Sequence, residues 1–261
     1  MRDWVEIAER LQRSTVRVFT GDRGSGSGVV WSADGLIVTN AHVARGDKAE
    51  IELWDGRRFQ ARVEARDPRR DFARLRIAAR GLEAVAAGDS EGLRAGEAVI
   101  AVGNPLGFAG VVSTGVVHSV GALPGMGRQR WIRTSVRLAP GNSGGPLASA
   151  EGRVVGINTA IVNGLGVAAP SAAVVDFVQR GGAPTLGVTL RALPFGLAIL
   201  EIDRGAAAAS AGLQVGDVLL CRLEELGELL DSGADIVRLR FLRGERVRDV
   251  AVTIGARAEA A

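Results

Sequence analysis

The sequence predicts an all-β-dominated fold, and three observations predict it. Thirty-six of the 261 residues are glycine. Only two stretches read clearly as helix, and short strand-like runs recur with turn residues between them. Hydrophobic residues make up 47% of the chain, enough to bury a sizeable core in one large domain with a small one beside it.

The elements follow in order. Trp4, Ile7, Ala8 and Leu11 fall at helical spacing and give a short amphipathic helix within 1–14, able to pack on its own domain or on a partner. Strand-like runs then occupy 15–19, 28–31, 36–39, 49–53, 58–65, 73–77, 98–102, 111–117, 131–136, 153–158 and 166–169. Ala33-Asp34-Gly35 and Trp54-Asp55-Gly56 supply turn chemistry between them. VVDFVQR at 174–180 reads as a helix that closes a domain spanning 15–180, and GGAP opens a linker over 181–185. Residues 186–258 leave room for a second, smaller unit.

Composition narrows the function classes. The formal charge is +3, and the basic residues are interleaved with acids, which speaks against nucleic acid as a partner. A single cysteine, Cys221, excludes an internal disulfide framework; apolar residues precede it, so it reads as a small buried hydrophobe rather than a nucleophile. Charges at 2, 3, 6, 9, 10 and 13 are incompatible with a signal-peptide core, so the chain as written is expected to be cytoplasmic. The uncharged stretches 98–127 and 154–175 are broken by Gly, Pro, Asn and Thr, and no membrane anchor is expected.

Chemistry concentrates around LAPGNSGGPLA, residues 138–148, where three glycines and two prolines surround Ser143. Glycine reaches backbone angles closed to other residues and proline fixes one angle, so the loop is sharply defined rather than floppy. Of the two histidines, His42 sits in IVTNAHVA just after a strand, whereas His118 lies within VVSTGVVHSV and reads as a structural strand residue. Asp71, in DPRRDFARLRI, precedes apolar residues that bury it at a strand start. A serine hydroxyl needs a base to take its proton, and a carboxylate must hold that imidazole in the right tautomer. The Gly141-Asn142-Ser143 turn is expected to form an oxyanion hole in which the N–H groups of Gly141 and Ser143 converge, each such donor being worth about 3 kcal/mol. This chemistry calls for no cofactor and no metal.

The segments GSGSGVV (24–30), GLIVTNAHV (35–43), DPRRDFARLRI (67–77), AVGNPLGFAGVVSTGVV (101–117), APGNSGGPL (139–147) and GRVVGINTAIV (152–162) resemble, in order, the HtrA/DegP serine proteases of the trypsin-like group. The resemblance implies two six-stranded β-barrels with the site in the cleft between them, and it makes His42 the general base, Asp71 the orienting acid and Ser143 the nucleophile. It also implies a substrate pocket bounded by Arg137, Leu138, Asn158, Thr159, Ala160 and Ile161. Family members differ from this chain at Ser135, Arg137 and Ala139, in the loop that switches their oxyanion hole, so the resting state of the site is left open.

The C-terminal part is similar to a small α+β PDZ domain, through TLGVTL (185–190), GAAAASAGLQVGDVLL (205–220), a helix-like LEELGELL (223–230) and closing runs at 236–244 and 246–255. Leu186, Gly187 and Val188 then form the loop that receives a peptide carboxylate. Cys221 runs almost directly into the helix, so the groove is expected to be short. Two functions fit: an ATP-independent endopeptidase acting on unfolded or misfolded proteins in protein quality control, or a non-hydrolysing peptide-binding chaperone or scaffold. The resemblance further implies a homotrimer, for which the Trp4, Ile7, Leu11 stripe and the short loop near 21–27 are read as suited.

Overall fold

The computed structural model describes residues 2–20, 25–124, 126, 129–180, 185–232 and 234–254. Residues 181–184 of the expected linker and residues 21–24 of the short loop lie outside the described residues. The chain divides into two units, Met1–Gly182 and Ala183–Ala261.

The first unit opens with α1 (Arg2–Arg13), followed by β1 (Thr15–Phe19), β2 (Ser25–Ser32), β3 (Leu36–Thr39), β4 (Lys48–Glu52), β5 (Arg58–Asp67) and β6 (Phe72–Arg76). These strands close an antiparallel barrel in the order β1-β2-β3-β6-β5-β4. Alternation along β1 and β6 sends Val16, Val18, Ala73 and Leu75 inward against Ile37 and Ile51, the period-2 arrangement that one buried face of a strand requires. A second barrel comprises β7 (Ala98–Gly103), β8 (Val111–Ala122), β9 (Arg130–Thr134), β10 (Pro146–Ser149), β11 (Val154–Val162) and β12 (Leu165–Pro170). Its order is β10-β11-β12-β9-β8-β7, again closed. Closure leaves neither barrel an unpaired edge.

Eleven of the twelve barrel strands coincide with runs expected from the sequence, and β10 is the exception. It is four residues long and starts at a proline, a residue that cannot donate to the ladder and is tolerated at a strand's first position. Leu147 and Ala148 nevertheless pair with β7 on one side and β11 on the other. His118 is exposed on β8.

One apolar cluster fills the seam between the barrels. Val29, Val38 and Phe72 from the first barrel meet Ile100, Ile157 and Val167 from the second. Ile7 and Leu11 of α1 join them, as do Val174 and Phe177 of α2 (Ser171–Arg180). The amphipathic stripe of α1 is therefore spent within its own unit: Ile7 is 8% and Leu11 2% exposed. Polar contacts fasten the same helix, Gln12 Nε2 donating to the Gly110 carbonyl at 2.7 Å and Arg10 Nη2 to the Gly152 carbonyl at 3.3 Å. This corrects the reading of the stripe as a partner-facing surface for trimerisation.

The second unit contains β13 (Val188–Leu193), β14 (Gly196–Ile202), α3 (Ala207–Ser210), β15 (Val218–Leu219), α4 (Leu223–Asp231), β16 (Ile236–Arg243) and β17 (Arg246–Thr253). Its strands form one five-stranded sheet in sequence order, with β13 and β17 at the ends. Leu197, Ile199, Leu219, Leu226, Val237, Leu239 and Phe241 make its core. β15 has two residues, and Cys221 and Arg222 alone separate the Leu220 position from α4, as the sequence suggested. Asp217, 1% exposed, accepts Arg243 Nε and Nη2, each at 2.7 Å, and the Gln214 N–H at 2.8 Å.

Two consequences can be measured. Leu11→Ala removes a side chain from the inter-barrel core and is expected to cost about 2–5 kcal/mol; an unchanged denaturant midpoint would show that α1 is dispensable to the first unit. For Asp217, burial disfavours the charge, but the Arg243 guanidinium and the Gln214 amide outweigh it and hold the carboxyl below the usual 3.8. A folded pKa below the unfolded one gives stability that is complete above the unfolded value and is lost as pH falls through the folded one. The protection factors at Leu219 and Phe241, exchange corrected for its intrinsic pH dependence, should therefore fall below about pH 4 in the full chain, and Asp217→Asn should be less protected at neutral pH with a flatter acid profile. Matching profiles for the two proteins would contradict this.

Candidate active site

The chemistry-bearing residues lie on loops held by the two barrels. His42 follows β3, whose four residues are all buried. Asp71 ends the loop between β5 and β6, where Asp67 pairs with Phe72 across the hairpin. Pro68 suits the start of such a turn. Asp67 Oδ1 accepts the N–H groups of Arg69 and Arg70, both at 3.1 Å, and Asp71 completes the loop at φ 60°, a region aspartate tolerates better than most residues.

That geometry brings Asp71 onto His42 at two points. Asp71 Oδ2 lies 2.6 Å from His42 Nδ1, and Oδ1 accepts the His42 main-chain N–H at 2.9 Å. A carboxylate only accepts, so Nδ1 carries the proton and Nε2 is left as the basic nitrogen. Arg45 Nε donates to the His42 carbonyl at 2.9 Å and steadies the same turn. His42, Asp71, Thr159, Ala160, Met126, Trp131 and Arg69 line one open cleft.

Ser143 enters from the second barrel, and its loop is strapped to the first. The Ser27 N–H donates to the Ser143 carbonyl at 2.8 Å, and Ser27 Oγ donates to the Gly141 carbonyl at 2.7 Å. Gly144, at φ 88°, lies so close that a Cβ there would run into the Ser27 carbonyl and Thr39 Oγ1. Gly141, at φ 104°, is pressed likewise against the Asn104 carbonyl. Only glycine fits either position.

The loop's amides divide into two kinds. Asn142 N–H donates to the Ala139 carbonyl at 3.0 Å, so Asn142 belongs to the turn but its amide is not available to an oxyanion. The Gly141 and Ser143 N–H groups make no hydrogen bond among the described residues. The Pro140 carbonyl accepts the Leu106 N–H at 3.1 Å, which fixes the plane of the Pro140–Gly141 peptide. Ser143 Oγ donates to the Thr159 carbonyl at 3.1 Å, and among the described residues no hydrogen bond joins it to His42.

The expected pocket residues separate. Arg137 and Ile161 are exposed, Leu138 is half-buried against the core of the second barrel, and Ala160 lines the cleft. Asn158 is 1% exposed and donates Nδ2 to the Pro146 carbonyl at 2.9 Å, so it braces the strand instead of lining a pocket. Supporting residues that sequence reasoning passed over are Ser27, Thr39, Asn40 and Asn104, all buried. Asn40 Nδ2 donates to the Asp71 carbonyl at 2.9 Å and to Thr159 Oγ1 at 3.1 Å, bridging the barrels beneath the cleft. Their signal was present as uncharged polar residues inside apolar runs, which must find hydrogen-bond partners once buried.

The family profile described as trypsin-like peptidase domain matches residues 26–157. A probable periplasmic serine endoprotease DegP-like of Pseudomonas putida (strain W619) is 35% identical, covering 96% of this chain and 61% of its own length. A protein of the same description from Halomonas elongata is 34% identical, covering 89% of this chain and 56% of itself. The chain thus spans about three fifths of the length of these curated relatives. Among solved structures, the HtrA-type protease AlgW with tripeptide superposes with a TM-score of 0.67 at 28% identity over 98% of both chains. The serine endoprotease from Yersinia pestis gives 0.66 at 26% identity over 97% of both. With its two closed barrels and the loops they carry, the chain belongs to the trypsin-like peptidase domain family.

Proposed function

We propose that the protein is an ATP-independent serine endopeptidase of the HtrA type, hydrolysing unfolded or misfolded proteins through an acyl-enzyme. The two-point hold of Asp71 on His42 carries this reading, together with the link from Asp71 through Asn40 to Thr159, whose carbonyl holds Ser143 Oγ. Ser143 Oγ turns from the Thr159 carbonyl toward His42 Nε2, which takes its proton as the Oγ–C bond forms. The Gly141 and Ser143 N–H groups donate hydrogen bonds to the oxyanion. Collapse breaks the C–N bond, and the imidazolium returns its proton to the leaving amine. Water, activated by His42, then releases the acyl group. A peptide-binding scaffold would have no use for this arrangement.

In the second unit, β13 is an end strand of the sheet and follows Leu186 and Gly187 directly. Addition of an extended peptide along that edge, with its carboxylate at the Leu186-Gly187-Val188 loop, is the recruitment mode this supports. Homotrimer formation rests on the likeness to HtrA proteins alone, now that α1 is occupied within its own unit.

Casein should be cleaved without nucleotide or metal, and an organophosphorus probe should label Ser143. Ser143→Ala should lose both while keeping its fold, and His42→Ala should lose labelling at neutral pH. Cleavage at an undiminished rate in Ser143→Ala would sink the assignment, and a correctly folded wild type that is never labelled would favour the scaffold. The primary pocket is proposed to be small and apolar, with Arg137 turned to solvent, so that cuts fall after Val, Ala or Leu with broad specificity, neighbours differing by about 1–3 kcal/mol. Mapping cut sites in a denatured proteome checks this: a majority after Asp or Glu, lost in Arg137→Ala, would show that the arginine selects substrate.

A further inference from the structure

The hairpin that carries Asp71 is braced from two directions. Inside the turn, fully buried Asp67 receives Arg70 Nε on Oδ2 at 2.5 Å, in addition to the two turn amides on Oδ1. On the far side, Arg70 Nη1 donates to Asp176 Oδ2 of α2 at 2.8 Å, and Arg180, one turn further along α2, engages the other Asp176 oxygen. Two contacts run parallel to this bridge. The Phe72 and Phe177 rings lie 5.5 Å apart, and Arg74 Nη1 donates to the Val178 carbonyl at 3.2 Å. The whole length of α2 beyond its first turn is thus fastened to the strand and loop on either side of Asp71.

Burial disfavours charge on Arg70 and Asp176 alike, yet their mutual hydrogen bonds prevail: the guanidinium is held above its ordinary value and the carboxyl below. A guanidinium whose side chain is only 13% exposed stays charged there because Asp67 and Asp176 face it from opposite sides. Removing one partner of such a bridge leaves a buried charge uncompensated, and the bridge's next neighbour along the chain is Asp71, a non-glycine residue at φ 60°. Backbone in that region persists only where surrounding contacts over-determine it. Asp71 must also keep two contacts on His42 at once, and small misplacements of such a group weaken catalysis strongly.

We infer that Arg70, clamped between Asp67 and Asp176, is a positioning residue for Asp71, and that α2 is through it a structural support of the His42–Asp71 pair. This rests on the triad reading above. Arg70 acts through Asp71 and touches no substrate, and α2 is the last element of the first unit before the chain passes on to the second.

The test uses the full chain with Arg70→Gln, Arg70→Lys, Asp176→Asn and the Arg70→Gln/Asp176→Asn pair. At a temperature well below unfolding, kcat on a peptide substrate should fall about tenfold in Arg70→Gln and in Asp176→Asn, with KM within about twofold, and the double variant should lose no more than the worse single one. Arg70→Lys, a point charge that reaches one partner, should fall between. Proton NMR supplies a readout that does not need turnover. The downfield His42 Nδ1–H signal should weaken or shift upfield in the variants as the Asp71 carboxylate loosens its hold. Arg45 and Arg69, the other charged groups near the imidazole, are unaltered in all of them, and a His118→Asn background assigns the signal. Lower melting temperature with kcat and the His42 signal both unchanged would reduce Arg70 to a fold-stabilising residue and overturn the proposal. If the wild type hydrolyses nothing, the protease reading fails, while the NMR comparison still decides whether Arg70 positions Asp71.

Discussion

The structure depends on how closely one loop of the second barrel is laid against one strand of the first. Ser27 is wholly buried, and all of its polar atoms are used. Its N–H holds the Ser143 carbonyl, its hydroxyl holds the Gly141 carbonyl while accepting from the Asn104 N–H at 2.9 Å, and its own carbonyl takes Thr39 Oγ1 at 2.6 Å. Each bond is worth about 1 kcal/mol net, but leaving any one of these buried groups unpaired costs more than the bond itself contributes. The set therefore forms as a whole. Its geometry requires glycine at 141 and 144, and the apolar cluster that includes Val29, Val38, Ile100 and Ile157 must hold the two barrels at that separation.

This constraint explains what could be read in the sequence and what could not. Alternating and fully apolar runs gave eleven barrel strands, because closed barrels impose a buried face on every strand. The fourfold run Pro146–Ser149 escaped, since its pairing is dictated by the loop before it rather than by its own pattern. His42, Asp71 and Ser143 were legible because their chemistry needs particular residue types beside distinctive turns. Ser27, Asn40 and Asn104 showed only as polar residues among apolar ones, since a buried serine or asparagine has no period, and its partners are set by long-range contacts up to 119 residues apart in the case of Asn40 and Thr159. The direction of the Asn142 amide was hidden for a related reason. Consecutive amides in a tight turn point in different directions, and its own is turned to Ala139.

The stripe on α1 shows the same limit from the other side. Trp4, Ile7 and Leu11 announce an apolar face, but periodicity says only that the face is covered, never by what. Gly110 and the turn at Gly152 supply carbonyls at the matching places on the second barrel, so the helix closes its own unit. Asp71 carries the complementary lesson. Aspartate at φ 60° is unremarkable by sequence, and its position follows only once the hairpin of Asp67 and Phe72 is known.

The resting arrangement separates what is prepared from what still has to move. His42 is already oriented, and the peptide on each side of Gly141 is pinned, by Leu106 and by Ser27. Backbone carries most of the precise geometry, and backbone is the expensive thing to reorganise during a reaction. What remains is the hydroxyl of Ser143, turned to the Thr159 carbonyl. Rotation about one staggered side-chain torsion takes place on the picosecond-to-nanosecond scale, far faster than typical turnover. Thr159 belongs to the strand that borders the cleft, so an extended chain docking there would compete for the same carbonyl. Under the proposed endopeptidase reading, occupation of the cleft and release of the hydroxyl toward His42 would be one event, and the position of Ser143 on the Thr159 carbonyl is compatible with that reading.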